Sequence, residues 1–126
     1  GPIVMVTNQW AGSDGDIVAA ATQAMGYAKV IGERSWGGVV GIDGRFDLVD
    51  GTSVTQPRYA GWYGSYGWGV ENHGVDPDIV VTVSPEDWEA DRDVQLDAAI
   101  AECLRQLDDK PAATAPELPG PAFDRC

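Results

Sequence analysis

The sequence has little positive charge and no long apolar run. Its 126 residues hold 8 lysines and arginines against 20 aspartates and glutamates, so the net charge is −12 with the single histidine neutral. A surface this acidic repels phosphate backbones, which argues against a nucleic-acid partner. No apolar run reaches the about 18 residues that a membrane helix needs. We therefore expect neither a nucleic acid nor a membrane among the partners.

Cysteine is scarce as well. Only Cys103 and Cys126 are present, too few for a disulfide framework. Because Cys103 falls in a predicted helix and Cys126 is the last residue, we expect reduced thiols and a cytoplasmic protein. Hydrophobic residues make up 44% and charged residues 22%, which is ordinary for a folded domain. We predict one domain over residues 1–109 and a proline-rich, acidic, disordered tail over residues 110–126.

The first third of the chain has the pattern of a strand–helix–strand unit. The apolar run Ile3–Val6 is typical of a buried, central strand. A helix is predicted over residues 14–25, with Ser13 or the next residue as its cap and Gly26 as its stop. Residues 29–32 predict the next strand. The short connections favour parallel pairing in an α/β fold.

The middle of the chain is broken by glycines and predicts a β-rich excursion. Strands are expected over residues 45–49 and 52–55, on either side of an Asp50-Gly51 hairpin turn. The run Ile79–Val83 then predicts another buried strand.

The last third predicts two helices. Ser84 and Pro85 begin a short one, as a cap and a first helical residue. From Asp93 onward, apolar residues recur at helical spacing and predict one stripe that packs on the sheet. The stripe consists of Leu96, Ile100, Cys103, Leu104 and Leu107.

Three further features are candidates for chemistry. In Gly12–Asp16, a serine stands where a loop enters a helix, so outward N–H groups and the positive helix end could hold a developing oxyanion. A plain helix cap or a metal loop is the alternative there, although the spacing of an EF-hand is absent. The second feature, Ile31–Gly38, leads a strand into a glycine turn, and the third, Val70–Ile79, is a turn before a strand.

In their order and spacing, these three features resemble the catalytic domain of the tricorn core protease family, within the wider group of carboxyl-terminal-processing serine peptidases. The resemblance covers about residues 2–107. It implies an α/β fold of the ClpP/crotonase-like kind, with parallel strands, packed helices and a β-rich excursion. It also implies a serine endopeptidase that degrades unfolded polypeptides or peptides, assembles as a homo-oligomer and needs neither a metal nor another cofactor.

The same resemblance implies the roles of three residues. Ser13 matches the nucleophile, the backbone N–H of Asp14 matches half of the oxyanion hole, and Glu71 matches a carboxylate that supports the base through a serine. A base is required because a serine hydroxyl is a poor nucleophile at neutral pH. Gly38 stands where the carboxyl-terminal-processing enzymes carry a lysine base, which favours the tricorn branch and its histidine.

In that family the histidine and its partner serine come from a segment well upstream, which the 126 residues do not include. His73, the only histidine, is better interpreted as a hydrogen-bonded turn residue than as the base. We therefore expect a nucleophile-bearing piece of a longer peptidase, with Ser13 and Glu71 facing one cleft. Alone, it should be inactive and should self-associate through an exposed sheet edge.

Two other interpretations are open. The chain could be an inert assembly module of the same fold. It could instead bind a glycan or a peptide through the loop Trp62–Trp68, where aromatic residues alternate with glycines. A loop that folds back and packs its own aromatics is the simpler interpretation of that stretch.

Overall fold

The computed structural model describes residues 1–118 and residue 120. Its elements are β1 (Val4–Thr7), α1 (Asp14–Met25), β2 (Lys29–Gly32), β3 (Gly41–Asp43), β4 (Gln56–Tyr59), β5 (Ile79–Val80), α2 (Pro85–Glu89) and α3 (Val94–Asp109). Residues 111–118 belong to neither a helix nor a strand. The end of the predicted tail, with Cys126, lies outside the described residues. No helix within the described range is both long and apolar enough to cross a bilayer.

Three parallel strands form the main sheet in the order β1-β2-β5. Met5 of β1 pairs with Val30, and Ile31 of β2 pairs with Ile79 on the other side. The predicted parallel strand–helix–strand unit is thus confirmed. In the described residues β2 takes the centre and β1 lies at an edge with Val6 partly exposed, as expected for the exposed sheet edge of this piece. That β1 is central in a longer peptidase stays a prediction.

Helix α1 begins and ends at the predicted residues. Gly26 closes it with φ 65°, a left-handed conformation that glycine adopts without strain, and its N–H donates to the carbonyls of Thr22 and Gln23. The small side chains of Ala19 and Ala20 are buried and let the helix approach the sheet closely. The core cluster consists of Ala19, Ala20, Val30, Val70 and Val75.

The excursion contains a hairpin, but its strands lie farther from the turn than predicted. β3 and β4 pair antiparallel, whereas residues 45–49 and 52–55 form the loop between them. The predicted turn is present, with the Leu48 N–H donating to the Thr52 carbonyl at 2.9 Å. The Gln56 side-chain amide accepts from the Arg45 N–H and donates to a nearby carbonyl, so it takes the place of ladder hydrogen bonds.

The predicted strand Ile79–Val83 is shorter and more exposed than expected. β5 holds only Ile79 and Val80, and both side chains are exposed. The reason is its position at an edge of the described sheet. The short helix α2 agrees with its prediction: Ser84 and Asp87 form a capping box, with Pro85 as the first helical residue.

Helix α3 packs on the sheet with a different face from the one predicted. Its buried residues are Gln95, Ala99 and Glu102, and the Gln95 amide donates to the Val81 carbonyl at 2.9 Å. The predicted packing stripe is wrong for its largest members, because the side chains of Leu96, Ile100 and Leu104 are exposed. Gln95 and Glu102, which are both hydrogen-bonded, thus take the buried positions on α3 that were expected for its apolar side chains.

Glu102 should make stability depend on acidic pH. Hydrogen bonds from Arg105 and then from Gln106 lower the pKa of Glu102 from 4.5 to about 2. A carboxylate with a lower pKa in the folded state than in the unfolded state stabilises the fold at any pH above its unfolded pKa. This contribution is lost as the pH falls through the folded-state pKa. We expect Glu102→Gln to unfold at a lower urea concentration near neutral pH, with the difference closing between pH 4.5 and about 2.

Urea titrations of wild type and variant across that pH range measure the difference. Asp108→Asn, which changes an exposed carboxylate on the same helix, is the matched control and should show no such convergence. A gap between Glu102→Gln and wild type that stays constant down to pH 2 would contradict the prediction.

Candidate active site

Ser13 lies at the turn where the loop after β1 enters α1. Its backbone has φ 53° and ψ −111°, a region that residues other than glycine rarely adopt. The residue is exposed, and its side chain does not cap the helix, so the capping role predicted for Ser13 is wrong. A sharp strand-to-helix turn with a strained serine is the geometry that presents a nucleophilic hydroxyl in α/β-hydrolases.

Asp14 is the first residue of α1 and directly follows Ser13. The first N–H groups of a helix have no acceptor within the helix. The next N–H, that of Gly15, is occupied by the Gly12 carbonyl at 2.9 Å. The Asp14 N–H therefore stands at the positive end of a twelve-residue helix, where it favours negative charge.

Asp16 ties α1 to the glycine turn that follows β2. Its side chain is completely buried. One carboxylate oxygen accepts from the Ser35 hydroxyl and from the Gly37 N–H at 2.9 Å, and the other accepts from the Gly38 N–H at 3.1 Å. The Ser35 oxygen in turn accepts from the Val75 N–H at 2.8 Å. This buried anchor was not predicted from the sequence.

Glu71 holds the next two residues of the same turn. Its Oε2 accepts from the N–H groups of Val39 and Val40, both at 2.7 Å. The carboxylate is half-buried. Glu71 thus fixes the far end of the segment whose near end Asp16 holds.

The turn that carries Glu71 crosses the glycine turn at very short range. A Cβ on Gly37 would lie 2.4 Å from the Gly74 nitrogen, and one on Gly74 would lie 2.1 Å from the Ser35 carbonyl oxygen. Both glycines also have positive φ values, 89° and 87°. Only glycine fits at either position, and the Asn72 N–H closes the crossing by donating to the Gly37 carbonyl at 2.7 Å.

Segment 35–40 therefore connects the surroundings of Ser13 with Glu71. Asp16, at the start of the Ser13 helix, binds its first part and Glu71 binds its last part. Within residues 1–118, no hydrogen bond joins Ser13 directly to Glu71. That both side chains face one cleft stays a prediction.

His73 is held within its own turn. Its Nε2 lies 2.8 Å from an Asp76 carboxylate oxygen, and its carbonyl accepts from the Arg34 guanidinium. In the described part of the chain, His73 makes no hydrogen bond to Ser13. This is the hydrogen-bonded turn histidine that was expected.

Trp36 borders the Ser13 loop and was also missed in the sequence. Its backbone N–H donates to the carbonyl of Ala11, which lies two residues before Ser13, at 2.9 Å. Its ring lies against Gly12 and Gly38 and is nevertheless exposed. The sequence signal that could have indicated this contact is a glycine on each of the two segments that the ring touches, Gly12 and Gly38.

The aromatic loop Trp62–Trp68 packs its tyrosines against the core and leaves its tryptophans exposed. It folds back through a pair of hydrogen bonds between Tyr63 and Gly67, and Tyr63 and Tyr66 pack against the core. Trp62 and Trp68 remain exposed. Among the residues that the structure describes, no group of three or more His, Cys, Asp and Glu side chains could hold a metal ion.

Comparison with known proteins gives consistent results. Residues 1–81 match the family model of peptidase family S41. The chain is 60% identical over 119 residues to tricorn protease homolog 1 of Streptomyces coelicolor, covering 94% of this chain and 11% of that protein. It is 47% identical over 107 residues to the tricorn protease of Thermoplasma acidophilum, covering 85% and 10%. The chain spans about a tenth of the length of the curated relatives it matches.

Two solved structures share the fold. A crystal structure of the tricorn protease superposes with a TM-score of 0.82 and 46% identity, over 86% of this chain and 11% of that one. Mature CPAF superposes with a TM-score of 0.68 over 90% of this chain and 22% of that one, at 20% identity. The second likeness concerns the fold alone.

Proposed function

Because the chain belongs to peptidase family S41, and within it to the tricorn core protease family, we propose that it supplies the nucleophile of a serine endopeptidase acting on unfolded polypeptides or peptides. The observation that carries this proposal is the exposed Ser13 in a strained strand-to-helix turn. Such strain costs about 1–3 kcal/mol and persists only where the surrounding structure imposes it. That cost argues against an inert assembly module.

In the proposed reaction, the Ser13 oxygen attacks the carbonyl carbon of the scissile peptide bond while a base removes the hydroxyl proton. The carbonyl oxygen becomes an oxyanion, and the Asp14 N–H at the helix end stabilises it. The protonated base then gives its proton to the leaving amine, which leaves an acyl-enzyme on Ser13. Water, activated by the same base, releases the second product and restores the serine.

The base of this reaction is proposed to come from outside the 126 residues. Within the described residues His73 makes no hydrogen bond to Ser13, and its Nε2 is paired with Asp76 of its own turn. Glu71 uses Oε2 to hold two backbone N–H groups, and we assign its Oε1 to the support of that base through a serine hydroxyl. An upstream segment of the same protein that carries histidine and serine is therefore the proposed source of the base.

Three further parts of the proposal concern the whole protein. The parallel sheet with α1 and α3 against it supports a ClpP/crotonase-like arrangement. The exposed stripe Leu96, Ile100 and Leu104 supports homo-oligomeric assembly, since such apolar patches commonly mark interfaces. A cytoplasmic location rests on the low cysteine content.

Covalent labelling with a fluorophosphonate tests the assignment of the nucleophile. Such a probe reacts with an activated serine hydroxyl, so the peptidase that contains this chain should be labelled at Ser13, as located by peptide mass spectrometry. Ser13→Ala should remove the label, and Ser65→Ala, which changes an exposed serine in the aromatic loop, should not. Peptide hydrolysis that continues with the label on a different serine would overturn the proposal.

A second candidate function is peptide or glycan binding by the Trp62–Trp68 loop. The exposure of both tryptophans favours it. Binding that survives Ser13→Ala and disappears with Trp62→Ala, in a protein that no fluorophosphonate labels, would favour this function over hydrolysis.

A further inference from the structure

Trp36 places an exposed indole against the residue that precedes the proposed nucleophile. Gly12 precedes Ser13, and a Cβ on Gly12 would lie 2.5 Å from the Trp36 Cε3 atom. A Cβ on Gly38 would lie 2.5 Å from its Cζ3 atom. The ring therefore rests on bare backbone of both segments, at a range that any larger residue would prevent.

The ring is also held firmly at its base. The backbone N–H of Trp36 donates to the Ala11 carbonyl. The neighbouring Ser35 hydroxyl and Gly37 N–H both donate to the buried Asp16 carboxylate. A tryptophan has few rotatable bonds, so little entropy is lost when another group packs on it. Trp36 is nonetheless 66% exposed. A large, rigid and solvent-facing aromatic ring is the kind of residue that dominates binding sites.

We propose that Trp36 is a substrate-contacting, specificity-determining residue, an inference that rests on the proposed peptidase function. The outer part of its indole takes an aromatic or branched aliphatic side chain of the peptide, close to the scissile bond. An indole offers apolar area and ring stacking, and its single polar group can only donate. A substrate residue with an apolar side chain therefore gains most from this contact, and glycine gains least.

The test compares peptide substrates with the intact peptidase that contains this chain. Phenylalanine, leucine or glycine is placed in turn at the substrate residue just before the scissile bond, and then at the residue just after it. At one position, Trp36→Ala should reduce the preference for the apolar residue over glycine by about three- to tenfold, mainly through KM. Trp36→Phe, which keeps a ring over both glycines, should retain most of the preference. Trp88→Ala, which removes an exposed tryptophan from α2, should leave the preference unchanged.

Labelling of Ser13 separates the possible failures. If wild type and Trp36→Ala are both labelled by the fluorophosphonate and all peptides lose activity equally, Trp36 has only a structural role and this inference is overturned. Loss of preference in Trp36→Ala that Trp36→Phe does not restore would also overturn it. If wild type hydrolyses the peptides without any label on Ser13, the proposed function itself fails, and the inference fails with it.

Discussion

Replacing Ser13 with alanine should lower the kcat of peptide hydrolysis by about 10,000-fold or more. The variant keeps the Asp14 N–H and the helix end, so oxyanion stabilisation persists while covalent attack is lost. Alanine adopts the strained Ser13 backbone no more easily than serine does, so the free energy of unfolding should change little. A fluorogenic peptide assay on the peptidase that contains this chain measures the first effect, and urea denaturation measures the second.

Ser65→Ala is the matched control for that assay and should keep wild-type kcat, because Ser65 is an exposed serine of the aromatic loop. Retention of more than about a tenth of wild-type kcat in Ser13→Ala would show that the reaction does not use this nucleophile.

Replacing Asp16 with alanine should lower the free energy of unfolding by about 3 kcal/mol. The substitution leaves the Gly37 and Gly38 N–H groups and the Ser35 hydroxyl without their acceptor in a buried place. Each buried polar group that loses its partner costs about 1–3 kcal/mol, and the relief of burying a carboxylate returns part of the sum. The shift of the urea unfolding curve measures the effect.

Asp14→Ala provides the comparison for Asp16, because it removes an exposed carboxylate from the same helical turn. It loses only its interaction with the helix end, about 0.5 kcal/mol. Equal losses in the two variants would mean that helix-end charge, and not the bonds to the glycine turn, explains the stability. Asp16→Asn should fall between wild type and Asp16→Ala, since an amide keeps one accepting oxygen.

Local patterns were sufficient for several elements of the fold. The bounds of α1 follow from its good helix formers and from Gly26, and the start of α2 follows from Ser84 and Pro85. Contacts between distant residues decided the rest. The Gln56 side chain bonds the residues where the hairpin strands were expected, and Gln95 ties a polar face of α3 to the Val81 carbonyl. Sequence periodicity carries no information about such partners.

Some residues of the candidate site could likewise be predicted from the sequence, and others could not. Ser13, Asp14 and Glu71 could be proposed from a family resemblance, whose motifs are short and contiguous. The buried bonds of Asp16 could not, because they reach a segment about twenty residues away. Trp36 was likewise hidden, since its importance comes from two glycines that only the fold brings beneath its ring.

The glycine crossing also sets an order of events during folding. The bond from the Val75 N–H to the Ser35 hydroxyl joins residues 40 positions apart, and the chain must close that long loop before Gly37 and Gly74 can pack. A chain emerging from the ribosome thus carries the serine well before the segment beside it is fixed. We therefore expect the segment beside Ser13 to be fixed only once residues 70–76 have been synthesised, because Glu71, Asn72 and Val75 hold it.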